Sequence, residues 1–376
     1  MHRIDHPLLS PSLGSHKTLT SFHFGTPGQG PKIYIQASLH AEELPGMLVA
    51  HHLRAALEAA DAAGGISGEI VLVPAANPIG LAQRLDHKPM GRFELNTSEN
   101  FNRHYPDLAA AVFPRVKDKL GSDAPGNVQQ VREAMRSYLN DWQPDTELQS
   151  QRRQLLLLSC DADRVLDLHC DCEAAMHFYT EEPCWPELAP LAYFLQSQAI
   201  LLARNSGHLP FDECLSCAWW QLADLLRAAG RDVPLPQACC STTIELRGEC
   251  DVTHELAQTD ARAILNWLEF VGVLACDRTP DVPPACCAAT PLAGSQTLHA
   301  RTPGMVVFAA TPGQQLQAGE LVAEVIDPIN NRTERVLAGV AGVFYARIRD
   351  RYVTAGAELG KIAGAKPFRT GLLLGA

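Results

Sequence analysis

The sequence predicts an α/β fold: a mixed, mostly parallel sheet flanked by helices, with a small C-terminal all-β domain. Three observations predict it. Apolar strand-like runs alternate with Ala- and Leu-rich helical stretches through most of the chain. A Pro- and Ala-rich stretch, Asp277 to Pro291, then breaks that rhythm. Beyond it, short β-like runs are separated by Gly and Pro. At 376 residues the chain exceeds what one core usually holds. Two domains are expected, a catalytic α/β domain over 1–290 and a β-rich domain over 291–376 that shapes access to its site.

The elements follow in order. Lys32-Ile33-Tyr34-Ile35-Gln36-Ala37-Ser38 reads as a buried strand ending at His40, and Met47 to Ala60 as a helix after Pro45-Gly46. Glu69 to Pro74 is the next strand, closed by Asn77-Pro78. Strand, helix, strand argues for parallel pairing with function at the strand C-termini. Leu81 to Pro106 reads as a long loop, rich in Asn, Gly and charge. Asn127 to Ser150 reads as a helix broken at Gln143-Pro144. Arg164 to His169 is a strand carrying a His at its end. Leu188 to Ala203 and Cys217 to Ala229 read as helices, Cys240 to Leu246 as a strand, and Thr259 to Val273 as a helix. In the tail, Met305 to Phe308, Leu321 to Ile326 and Gly342 to Ala346 are β-like runs.

Composition narrows the function. Hydrophobic residues are 46% and charged ones 19%, ordinary for a globular chain with a core. A net charge of -11 offers no general field for phosphate, so neither nucleic acid nor an anionic membrane is an expected partner. Met1 to Pro7 has no charged start followed by an apolar stretch, and no window approaches the length of a membrane span. A soluble, cytoplasmic protein is expected. The twelve Cys do not form a structural zinc module: Cys214 and Cys217 make one CxxC that no second one answers. They read as reduced thiols, many of them buried as small hydrophobes.

Three distant segments carry the chemistry. Ser38-Leu39-His40-Ala41-Glu42-Glu43 places His40 and Glu43 three apart after a strand, where one helical turn lets both reach one ion. Asp167-Leu168-His169 supplies a second imidazole, with Asp167 in a supporting position. Two imidazoles and a carboxylate are the ligand set of a zinc that keeps a place for water. Glu245, in Thr243-Ile244-Glu245-Leu246, is a carboxylate in an apolar strand. Burial would raise its pKa and suit it to proton transfer near neutrality. Arg103 can grip a carboxylate by two parallel hydrogen bonds, Asn102 can add a donor, and Arg92 can polarise a carbonyl. Read one at a time, these residues are equally two unrelated histidines, a solvated Glu and surface arginines.

Taken in order, the set resembles the succinylglutamate desuccinylase/aspartoacylase family, which has a zinc carboxypeptidase-like fold. The ordered features are His-x-x-Glu, then Asn-Pro-x-Gly at Asn77 to Gly80, then Asn-Arg, Asp-x-His, the Glu of a Thr-Ile-Glu-Leu strand, and a β-rich tail. The resemblance covers nearly the whole chain. It implies His40, Glu43 and His169 as ligands of one Zn2+ per chain, and Glu245 as the residue that activates water and protonates the leaving amine. It implies Asn102 and Arg103 for the substrate carboxylate and Arg92 for the oxyanion. The chain departs from the family pattern at Asn100, where an Asp is usual, and at Ala41, where a Gly is usual. Its loop from Arg92 to Asn102 is longer than in aspartoacylase. Arg247 follows Glu245 closely and is expected to add positive potential near the substrate.

The expected activity is hydrolysis of the amide of an N-acyl amino acid, releasing a carboxylic acid and an amine. The alternatives are a carboxypeptidase acting on a peptide C-terminus and a binding protein that kept the fold without catalysis. A homo-oligomer is compatible with the sequence. A biotinyl- or lipoyl-type carrier is rejected, because no Lys lies between Gly294 and Gly360 and Lys361 ends the last strand.

Overall fold

Alternation of side chains decides which way each strand faces. The computed structural model describes residues 1–375. Strand β3 (Lys32–Ala37) turns Ile33 and Ile35 to one side and Tyr34 to the other. Strand β4 (Glu69–Val73) does the same with Ile70 and Leu72 against Val71 and Val73. Strands buried on both faces need helices on both faces, hence their near-continuous apolar runs. Helices α1 (Pro45–Ala62), α6 (Trp185–Phe194) and α8 (His254–Phe270) cover the Ile33 side. Helices α3 (Leu108–Val116), α4 (Ala124–Asp141), α5 (Glu147–Ser159) and α7 (Phe211–Ala228) cover the Tyr34 side. A one-turn helix, α2 (Pro78–Leu81), is capped by the Asn77 side chain.

The large sheet is completed by β1 (His2–Pro7), β2 (Thr18–Gly25), β5 (Arg164–Asp171), β6 (His177–Glu181), β7 (Ala199–Ala203), β8 (Cys240–Gly248) and β9 (Ala289–Pro291). Its order is β1-β2-β4-β3-β5-β8-β6-β7-β9. Five neighbouring pairs are parallel and three antiparallel. The mixed, mostly parallel sheet is therefore present as expected.

The C-terminal region is all β. One sheet runs β10 (Ser295–His299), β17 (Glu358–Gly364), β15 (Gly342–Arg347), β12 (Gln314–Leu316). The other runs β14 (Arg332–Leu337), β13 (Leu321–Asp327), β11 (Gly304–Phe308), β16 (Tyr352–Val353). Val306, Leu316, Val322, Phe344 and Ile362 share a separate core between them. This region is clasped to the chain just beyond His169. Glu173–Ala174 pairs with β15, Arg347 and Arg351 bind the Glu173 carboxylate, and Lys361 binds Asp171.

Several local readings need correction. The helix expected over Leu188 to Ala203 is α6 followed by strand β7: Gln196, at φ 53, ends the helix, and Ala199-Ile200-Leu201-Leu202-Ala203 pairs with β6. A short apolar run has no periodicity of its own to separate helix from strand. The stretch Asn127 to Ser150 holds two helices, because Pro144 ends α4 and α5 runs on to Ser159. Ala289–Pro291, expected as the end of a linker, is the edge strand β9. Among the described residues, no helix is long and apolar enough to cross a membrane.

Candidate metal centre and active site

The three chemical segments meet because their strands are neighbours. β3, β5 and β8 lie side by side and parallel, so their C-terminal ends share one edge of the sheet. Ser38, just past β3, takes a left-handed backbone (φ 63) and turns the chain out of the sheet at His40. That turn is buttressed from below. Asn77 donates to the Leu39 carbonyl at 2.8 Å, and a side chain on Gly80 would collide with Ala41. The loop carrying Arg92 docks on the same turn, with Ala41 N–H donating to the Gly91 carbonyl at 3.0 Å. A Cβ on Gly91 would lie 2.5 Å from the Glu42 nitrogen, so only Gly allows this approach.

His40, Glu43 and His169 converge and are all buried. Glu43 places one carboxylate oxygen 2.8 Å from His40 Nδ1 and the other 2.7 Å from His169 Nδ1. The candidate ligand atoms all lie within 4.8 Å of one another. Each ring is fixed from behind. His40 Nε2 is 2.8 Å from Asn100 Oδ1, which can only accept, so the proton sits on Nε2 and Nδ1 presents its lone pair. His169 Nε2 lies 3.0 Å from the Asp167 carboxylate, which Gln36 holds at 3.0 Å. An outer partner that fixes the tautomer is what a metal-binding imidazole needs. The donor set thus fits a zinc ion. Burial, then Arg92, pushes the His40 pKa down to about 4, which keeps it neutral and able to ligate. Burial opposes charge on His169, but Asp167 and Glu43 outweigh it and hold its pKa well above the usual range. Among the described residues no other trio of such side chains converges in this way.

Glu245 is the cross-strand partner of His169 and therefore faces the same pocket. Burial first, then the neighbouring Glu43, raises its pKa to about 8. Its Oε2 is buried without a hydrogen-bond partner. Arg92 reaches Glu43 at 3.2 Å. Asn102 Oδ1 accepts the Phe211 N–H at 2.8 Å, tying the start of α7 to the site. Arg103 is 7% exposed, and its guanidinium lines the same cavity of about 450 Å³. All seven expected site residues therefore line one cavity.

Arg247 does not. Its left-handed backbone (φ 64) turns the side chain toward α8, where it pairs with Asp260. It adds no charge to the pocket, which corrects the expectation that it would. Two features went unread in the sequence. Asn100 reads in the sequence only as a departure from the family pattern, yet it orients His40. Tyr345 and Lys361 reach the pocket from the β-rich region, and no local signal marks a residue delivered from so far along the chain. Cys214 and Cys217 are buried on α7, among seven buried thiols.

Residues 29–271 match the model of the succinylglutamate desuccinylase/aspartoacylase catalytic domain. The chain belongs to that family. Known structures share its fold over 96% of its length. A family protein from Shewanella amazonensis is 26% identical, with a TM-score of 0.82 over 96% of this chain and 98% of that one. One from Shewanella frigidimarina is 24% identical, with a TM-score of 0.84 over 96% and 97%. The ectoine utilization protein EutE (DoeB) of Ruegeria pomeroyi shares the fold at 13% identity and a TM-score of 0.66, over 96% and 95%. No curated protein sequence matches the chain.

Proposed function

We propose that this protein is a zinc-dependent hydrolase that cleaves the amide bond of an N-acyl amino acid. The observation that carries the reading is the convergence of two imidazole Nδ1 atoms and the Glu43 carboxylate beside the unpartnered Oε2 of Glu245. His40, Glu43 and His169 would hold a zinc ion, which would supply a Lewis acid for the amide oxygen and lower the pKa of the attacking water. A cation there also favours the ionised form of Glu245, which burial alone disfavours. Glu245 takes the proton of the attacking water and passes it to the leaving amine nitrogen. Arg92, beside Glu43, is the donor for the charge that develops on the amide oxygen. Arg103, with the Asn102 amide, fixes the substrate carboxylate and so orients the amide.

The β-rich region from residue 291 onward closes one side of the cavity with Tyr345 and Lys361. A capped cavity of this volume favours a small acyl amino acid over a peptide. We place the activity in the cytoplasm, the compartment that keeps a chain with twelve cysteines reduced. The test is elemental analysis of wild type and His40→Ala, followed by a panel of N-acyl amino acids. About one zinc per chain, lost in the variant, with turnover of at least one panel member, is expected. A protein that takes up no zinc when supplied with it and turns over no panel member overturns this reading and favours a binding protein.

A further inference from the structure

The Arg103 guanidinium is already engaged. Its Nε and Nη2 donate to the Gly375 carbonyl at 2.9 and 2.7 Å, and its Nη1 donates to the Asn102 carbonyl at 2.7 Å. The edge that would grip a carboxylate therefore holds a backbone carbonyl of the chain's own final segment. That segment is seated by several contacts. Leu373 and Leu374 N–H both point at the Ser206 carbonyl, at 2.9 and 3.4 Å. Arg369 Nη2 donates to the Leu373 carbonyl at 2.5 Å. Leu373 and Leu374 pack half-buried against Leu201, Ala203, Leu292 and Tyr345. The crossing needs a glycine: Gly207 has φ 99, and a Cβ there would meet Leu372 Cδ2 at 2.4 Å. The Ser206 loop is itself held, its N–H donating to the buried Glu213 carboxylate at 2.9 and 3.1 Å.

We propose that residues 371–375 are an intramolecular competitor for Arg103, which raises the KM of every substrate that needs this anchor. This rests on the reading of Arg103 as the carboxylate anchor. The segment offers Arg103 a neutral acceptor. A carboxylate forms charge-assisted, two-pronged bonds about twice as strong, so it displaces Gly375. A neutral ligand meets the same competition and binds Arg103 more weakly to begin with. The retained contacts through Arg369, whose Nη1 bonds the Ser295 carbonyl at 3.3 Å, let the segment swing aside and return.

The experiment compares zinc-loaded full-length protein with a variant lacking residue 371 onward. If the segment occupies Arg103 for nine-tenths of the time, its removal lowers KM about tenfold at unchanged kcat. The neutral carboxamide of the same substrate gains by the same factor, because both ligands need the freed Arg103. Leu374→Asp in the full-length chain unseats the segment without removing it and shifts KM the same way. A labelled Gly371–Ala376 peptide, followed by fluorescence anisotropy, binds the shortened protein and not its Arg103→Ala derivative. An unchanged or raised KM in either variant, or peptide binding that ignores Arg103→Ala, overturns the proposal. If neither form hydrolyses any acyl amino acid, the proposed function fails, and the peptide measurement still decides the role of the segment.

Discussion

Asn100 shows how much a single side chain decides here. It accepts from His40 Nε2–H through Oδ1, while its own amide nitrogen is buried with no acceptor. Replacing it with Ala leaves the His40 ring free to turn, and zinc affinity is expected to fall about 10- to 100-fold in a competition titration with a chelator. Glu245→Gln removes the proton acceptor and leaves the three ligands in place. Turnover is expected to drop about 10²- to 10⁴-fold while the zinc content stays at the wild-type level. Full activity in that variant would remove Glu245 from the mechanism. Arg103→Ala should raise KM for acyl amino acids with a smaller change in kcat, since it removes binding common to ground and transition states.

Between elements, the ion pair of Asp171 on β5 with Lys361 on β17 fastens the β-rich region beside the site. Burial works against the Asp171 carboxylate, but Lys361 outweighs it and holds the pKa down at about 2. The unfolded value is near 3.9. A depressed carboxylate stabilises the fold above its unfolded pKa, so this contribution is present above about pH 4 and lost as pH falls toward 2. Its size is about 2 kcal/mol by the linkage of pKa to stability. Urea melts of wild type and Lys361→Met should therefore differ at pH 6 and converge toward pH 2. A gap that persists unchanged at pH 2 would show that the pair is not its source.

At the scale of the molecule, zinc that binds the folded chain and not the unfolded one stabilises it by mass action. At one hundred times its dissociation constant the gain is about 2.7 kcal/mol. The melting temperature should rise with added zinc and fall with chelator, and His40→Ala should show neither response. The metal would thus hold together two distant segments, one carrying His40 and Glu43 and the other His169.

Local chemistry wrote much of this into the chain. The β-branched and aromatic run Ile33-Tyr34-Ile35 favours a strand buried on both sides, and Asn77-Pro78, a cap followed by Pro at the first helical position, starts α2. A Glu between Ile244 and Leu246 is too costly to bury without a use. The family pattern of ligands and base was readable because each ligand sits at a strand end, and parallel strands align their ends. Other features depended on distance in space. Leu201 belongs to a strand because β6 is there to pair with it. Arg247 faces Asp260 because its backbone turns left-handed after Glu245. Lys361 and Gly375 reach the site from the far end of the chain. Sequence by itself determined the central strands β3, β4, β5 and β8, in part the helices that flank them, and the chemistry at the sheet's edge, since these follow from neighbours along the chain. Only the tertiary structure decided what surrounds that chemistry, because contacts across hundreds of residues leave no periodicity to read.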